Sequence, residues 1–478
     1  GLDIAGVSEE EYKDVQNELS MTRKREFIGD ILSNTQYVSQ CVASFLYGSS
    51  LSSPSTDLNF FSTKNIDDAL STRLFNNFLS ALLDSRKNLT LHFAADTSSV
   101  REEKLMTSFF SGWKDSDTYE YKISGSDTLT LSKLTAKTKI KSYLPEPVTG
   151  GQMWVFDNGI RVIYKSIPGI GMFRYMWLLK GGNSIIQGMR PGESAYLSDM
   201  LSLYNVGPMS CYDFRNMLSA NGITMNTEIT ESDFRISGAA PSSRVRLLLK
   251  SLYSLSHAGT PNKEAYDYYR RCMAMKNERG ISGPSGLDSL MFPGNDWTQA
   301  RMPISLSDNF QKQADKFFAY EFAKMNDGVL VLIGDFDEYA LRKDLSRDLG
   351  SFSTERTSSY RSRSQYRASS GYVSKVKRAD ERGIEVGVSI PLIYSASSFM
   401  STHMAAYAMS DALQGELAKF GWYGEGSWEF TMFPEERFNF RMACAPAARS
   451  GMPASLFPED SVETVVSGLR STLRRLSA

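Results

Sequence analysis

Residues 153–182 read MWVFDNGIRVIYKSIPGIGMFRYMWLLKGG, and the fold is decided in this stretch. Two apolar runs, 153–156 and 160–164, flank Asp157-Asn158-Gly159. Asn-Gly between apolar runs signals a tight hairpin, because both residues tolerate the positive φ that such a turn requires. A further apolar run at 172–180 ends on Gly181-Gly182 and reads as a third strand.

Working outward, GESAYLSDMLSLYNVG (192–207) and SCYDFRNMLSANG (210–222) read as helices, the second closed by Gly222. ITMNTEIT and ESDFRISGAA alternate as two strands. Val245, Leu248, Leu249, Leu252 and Leu255 then share one helical stripe. A long helix is expected at 262–279, a loop-rich stretch at 281–305, and a helix at 311–325. The apolar run in DGVLVLIGDFD (327–337) reads as a buried strand, with a helix after it. Toward the N-terminus, helices are expected within 8–48, with Ser8 as N-cap and Glu9, Glu10 and Glu11 in the first turn. Further helices are read at 65–84 and after a buried strand NLTLHFAAD (88–96). Toward the C-terminus the pattern is a strand (384–394), a long helix (397–421), two strands (422–433 and 437–447) and a closing helix (458–478). Stretch 88–110 repeats the pattern of 329–352, each with a buried strand, an acidic turn and a helix.

Composition bounds the function classes. The 478 residues suffice for several domains, and a formal net charge of −1 recruits neither nucleic acid nor an anionic membrane. No apolar run approaches the roughly 18 residues that span a bilayer. The Ser/Arg-rich run at 351–372 reads as a solvated linker, not a nucleic-acid site. Cys41, Cys211, Cys272 and Cys444 are far apart and read as free thiols. His92, His257 and His403 include no pair at helical spacing, whereas a catalytic zinc site usually draws on two or three His. The chain opens on Gly1-Leu2-Asp3-Ile4 without Met. The leading Gly is expected to be a scar of tag removal, which leaves the native start unknown and any export signal out of view.

The stretches FDNGIRVIYKS, GESAYLSDMLSLYNVG, LSANGITMNTEITESDFRISGAAPSSRVRLLLKSLYSL and GVLVLIGDFD resemble the pitrilysin/insulin-degrading-enzyme/mitochondrial-processing-peptidase family of zinc peptidases. FGWYGEGSWEFTMFPEERFNFRMACAP resembles a later domain of the same family. The resemblance implies an α+β fold of repeated peptidase-like domains, each a mainly antiparallel sheet with helices on one face.

The family carries H-x-x-E-H on a helix, two His gripping zinc and the Glu acting as base on the bound water. The matching positions here hold Ala195, Ser198 and Asp199. A methyl cannot ligate, and a serine hydroxyl is a poor base near neutral pH. Glu264 and Asp267 stand where a downstream acidic ligand is sought. An Arg and a Tyr hold substrate in active relatives; Tyr423 matches the Tyr, but the Arg position falls on Glu416. The expectation is therefore no catalytic residue and no metal in this chain, with Tyr423 the one candidate substrate contact.

The order of pieces gives the domain reading. Residues 148–355 hold a complete peptidase-like domain with the degenerate motif. Residues 372–478 hold the first half of another, and 1–120 a second half, expected to complete it. Stretches 121–147 and 356–371 are read as linkers. The alternatives are a fragment of a longer chain or a swapped homodimer.

The implied function is a non-catalytic half that binds unfolded peptide by strand addition and supports a zinc-bearing half or subunit. Zinc is then expected only in that partner. A structural subunit of a larger complex, with no peptidase role, is the alternative. Bacterial relatives suggest the cell envelope or periplasm.

Overall fold

The computed structural model describes residues 6–27, 32–62, 68–84, 92, 102–114, 130–169, 171–182, 189–190, 193–230, 233–278, 287–293, 306–323, 325–352, 383–432, 435–446 and 460–477. The fold is α+β. The N-terminal part is helical: α1 (Glu9–Glu26), α2 (Asn34–Tyr47), α3 (Pro54–Ser62), α4 (Asp68–Asp84) and α5 (Glu102–Lys114). Ser8 caps α1 as expected, in a reciprocal box with Glu11 that satisfies two otherwise orphaned amides. Gly48 closes α2 at φ +67°, a conformation in which a Cβ is costly. Apart from His92, the strand expected at 88–96 lies outside the described residues, as does most of the Ser/Arg-rich linker.

The central unit is built on strands β1 (Ile140–Glu146), β2 (Gly151–Phe156), β3 (Arg161–Ser166), β4 (Met172–Lys180), β6 (Asn226–Ile229), β7 (Asp233–Pro241) and β9 (Val329–Gly334). They form one sheet in the order β1-β2-β3-β9-β4-β7-β6. All pairs are antiparallel except β3 with β9. The Asn158-Gly159 turn joins β2 to β3 as expected, but of the two only Gly159 takes a positive φ, +94°. Burial alternates along β4, with Phe173, Tyr175, Trp177 and Leu179 buried and the residues between them more exposed. One face is therefore packed and the other open, the usual state of an antiparallel sheet. The packed face meets α8 (Val245–Ala258), α11 (Phe310–Phe322) and α12 (Glu338–Asp348), whose buried residues join it in one core. All five residues of the predicted α8 stripe are buried.

Two expectations are corrected. Residues 140–146 are edge strand β1, inside the stretch 121–147 read as linker; Pro145, which opens the Pro/Gly-rich run behind that reading, sits near the strand's end. Residues 192–207 are not one helix. A 3-10 turn (Glu193–Tyr196) leads into α6 (Leu197–Met200), a second 3-10 turn (Leu201–Leu203) and β5 (Tyr204–Val206). Strand β5 pairs with β8 (Gly259–Pro261).

The C-terminal unit repeats part of this plan. Strand β10 (Ile384–Pro391), helix α13 (Ala396–Lys419), strands β11 (Trp422–Thr431) and β12 (Arg437–Pro446) and helix α14 (Asp460–Ser477) follow one another. Their sheet order, β10-β12-β11, is that of β4-β7-β6, all antiparallel. Helix α14 follows β12 as α8 follows β7. Its core is Leu413 and Leu417 of α13, Val465 and Leu469 of α14, and Trp422, Phe438, Phe440 and Met442 of the sheet. Helix α10 (Leu287–Met291) lies on β10, and a Cβ at Gly387 would come 2.3 Å from Met291 Sδ. At the other end, α1 packs on α7 (Cys211–Ala220), with Ser219 Oγ 3.3 Å from Glu18.

Candidate functional site

Ala195, Ser198 and Asp199, the positions read in the sequence as a degenerate metal motif, fall in the tight turn that crosses one end of β6. Ala195 is in the 3-10 turn; its side chain lies outside the described residues. Leu197 and Met200, on the opposite side of the α6 turn, are 0 % and 1 % exposed and anchor it in the core. This leaves Ser198 and Asp199 half-buried at the rim. The Ile229 N–H donates to Ser198 Oγ at 3.1 Å. The Tyr269 hydroxyl donates to Asp199 Oδ2 at 2.8 Å, across to helix α9 (Lys263–Glu278).

A buried carboxylate holds the start of the turn. Glu193 is 1 % exposed and accepts from the Arg190 amide at 2.9 Å and the Ser307 amide at 2.7 Å. Arg190 Nη2 lies 3.0 Å from its Oε1. Burial alone would push the Glu193 carboxyl up; the amides of Ser307 and Arg190 and the guanidinium outweigh it and hold it below the ordinary value. Burial raises the Tyr266 phenol nearby, opposed by Arg270.

Helix α9 turns Ala265 and Tyr266 inward and packs Tyr269 and Met273 against the core. Glu264 and Asp267 are exposed on its other side and line a shallow surface groove with Arg270, Arg271 and Ala274. The structure thus joins Asp199 to α9 through Tyr269, while the two acids face solvent. Among the described residues no cluster of three or more His, Cys, Asp or Glu is placed to hold a metal. A catalytic zinc ion draws three protein ligands. The motif positions offer one hydroxyl and one carboxylate, each already engaged, and do not fit that ion.

Strand β6 is an edge of the seven-stranded sheet, and its geometry follows from its ladder. Thr230 N–H donates to Asp233 O and Thr224 N–H to Ala239 O, so the even-numbered residues bond inward to β7. Met225, Thr227 and Ile229 therefore point their N–H and C=O groups away from it. The opposite edge, β1, is blunted by a register shift between Ile140 and Ser142 and by Pro145, which has no N–H to offer.

Tyr423 and Glu416 are not brought together. The faces of β11 are set by Gly424 and Gly426, where an added Cβ would meet Leu417 and Ser410 of α13. Tyr423 alternates to the other face and is 55 % exposed. Glu416 is tucked between the helices, paired with Lys419 at 2.6 Å and close to Gly468 of α14. Sequence reasoning missed Glu193 and Tyr269. Tyr269 lies close to Tyr266 and Tyr268 in the sequence, and only the packing of α9 on the turn selects it from them.

Neither a protein-family model nor a curated protein matches the sequence. Solved structures do. The periplasmic protease PqqL from Escherichia coli superposes with a TM-score of 0.59 at 14 % identity, over 99 % of this chain and 53 % of that one. A mutant of the ferredoxin protease FusC, in complex with Arabidopsis ferredoxin, superposes with a TM-score of 0.55 at 12 % identity, over 98 % of this chain and 52 % of that one. The chain thus spans about half the length of these two structures, and it has the fold of one half of such a protease.

Proposed function

We propose that the chain is a zinc-motif-deficient half of a pitrilysin-like metallopeptidase, which holds unfolded peptide for a zinc-bearing half. That active half is a separate subunit or another part of the same polypeptide. The observation that carries this reading is the outward edge of β6 beside the degenerate motif turn. An extended peptide laid on that edge gains backbone hydrogen bonds whatever its sequence, which suits unfolded substrates. Tyr423, exposed on the open face of the smaller sheet, is proposed as a second contact that acts without Glu416. The repeat of β4-β7-β6 as β10-β12-β11 supports reading 372–478 as the first half of a domain that 1–120 completes. The fold shared with a periplasmic protease supports a bacterial cell-envelope location.

A structural-subunit role is the second reading. It is favoured by α2, which buries no residue and leaves Val38, Val42, Phe45 and Leu46 exposed, a face that a protein partner or a second copy would cover.

A fluorescein-labelled unstructured peptide, titrated into the chain and read by anisotropy and mass spectrometry, separates these readings. Saturable binding with the peptide left intact, with or without added zinc, is expected. Cleavage by the chain alone that a chelator stops contradicts the proposal. Absence of binding favours the structural reading.

A further inference from the structure

The proposed peptide edge is shortened at one end by a residue that stands where active relatives carry the general base. Of the three outward-pointing residues of the β6 edge, Ile229 has its N–H occupied, donating to Ser198 Oγ at 3.1 Å. The acceptor comes from the α6 turn, which β5 and α7 separate from the strand in the chain, and Leu197 and Met200, buried on either side of it, fix its place. The smaller sheet has a related contact at the opposite end of its strand. Strand β11 occupies the position of β6 in the repeated order, and its Gly424 N–H donates to Gln414 Oε1 of the preceding helix at 3.0 Å. Each strand thus has one amide satisfied by a side chain from an earlier part of its own unit, Ser198 in α6 for β6 and Gln414 in α13 for β11. Exposed strand edges invite pairing, and filling one amide ends the run of groups that an added strand can use.

We propose that Ser198 is an edge plug. It confines an incoming extended peptide to the outward groups of Met225 and Thr227, and so sets the register and the length of chain held. This inference rests on the peptide-holding reading and adds a specificity role to a motif position that has lost its chemistry. The mechanism is steric and hydrogen-bonding only; no bond is made or broken.

The test uses the full chain, the Ser198→Ala variant, which frees the Ile229 amide, and the Ser198→Thr variant, which keeps a hydroxyl. Amide exchange of Ile229 without peptide is expected to rise roughly fivefold in Ser198→Ala, the factor associated with one lost hydrogen bond. The same labelled peptide is expected to bind Ser198→Ala a few-fold more tightly and to protect Ile229 there, while Ser198→Thr behaves as the parent. Peptide binding that is equal in the parent and Ser198→Ala, with Ile229 unprotected in both, overturns the plug and leaves the peptide-holding reading standing. No binding to any of the three chains overturns that reading, and the plug with it.

Discussion

The phenol of Tyr269 donates a 2.8 Å hydrogen bond to Asp199 Oδ2 and ties α9 to the turn that crosses the end of β6. In a zinc-bearing relative, the resemblance implies, metal ligands stand at the Asp199 position and on a downstream acid. Here a phenol and a carboxylate link α9 to the turn by a direct hydrogen bond. The link has a measurable strength. Tyr269→Phe and Asp199→Asn are each expected to lower stability, with a coupling of about 1 kcal/mol in a double-mutant cycle by denaturant unfolding. Additive effects would mean that the hydrogen bond carries no energy of its own.

Leu197 tests whether the motif turn serves packing. It is fully buried beside Ser198, and Leu197→Ala is expected to cost about 2–5 kcal/mol, with Met200→Ala in the same range. Urea unfolding with an unchanged slope would give the value directly. A loss below about 0.5 kcal/mol, typical of surface positions, would contradict a core role.

Glu193 predicts a pH dependence with a definite sign. Its carboxyl is held below the ordinary value of 4.5, so the charged form is favoured in the folded chain. The stability this contributes is fully present above the unfolded-state value and is lost as pH falls through the lower folded value. Against Glu193→Gln, the parent is expected to hold an advantage of about 1.5–3 kcal/mol at neutral pH, the range for hydrogen bonds to a charged group. Thermal melts of both proteins from pH 7 downward should show that advantage shrink only below about pH 4.5. A constant difference across that range would contradict the assignment.

Gly238 lets the two outer strands approach. A Cβ there would sit 1.9 Å from the Thr224 carbonyl oxygen, a contact that only backbone movement relieves. Gly238→Ala is therefore expected to cost about 1–3 kcal/mol by overpacking and to weaken peptide binding by displacing β6. Full stability together with unchanged binding would remove β6 from the peptide site.

Tyr423 and Glu416 should respond differently to substitution. Tyr423→Ala is expected to change stability by less than about 0.5 kcal/mol, as befits an exposed side chain, while weakening the labelled peptide a few-fold. Glu416→Ala, at the interface of α13 with α14, should leave peptide affinity unchanged. The opposite pattern in anisotropy titrations would place the peptide on the helical side of the smaller sheet.

Local chemistry made much of this fold legible. The Asn158-Gly159 turn, the Ser8 cap, the Gly48 and Gly222 helix ends and the α8 stripe each rest on residues adjacent in the chain. The features that stayed hidden depend on distant partners. Strand β9 enters between β3 and β4 and pairs parallel to β3, a choice no local pattern encodes. The polar run ending in Pro145 resembled a linker because an edge strand needs few apolar residues. At the site, Ala195, Ser198 and Asp199 were selected in the sequence by the resemblance alone. Their contacts were not legible there: Ser198 meets Ile229 and Asp199 meets Tyr269 only once β6 and α9 have packed around the turn.

Zinc per chain tests the central claim most directly. Elemental analysis of protein purified without chelators or a metal-binding tag is expected to give a value near zero, and the chain alone should leave the labelled peptide whole. A tightly held stoichiometric zinc, removed together with peptide cleavage by a chelator and restored with it on zinc addition, would contradict the account and relocate the catalytic centre away from Ala195, Ser198 and Asp199.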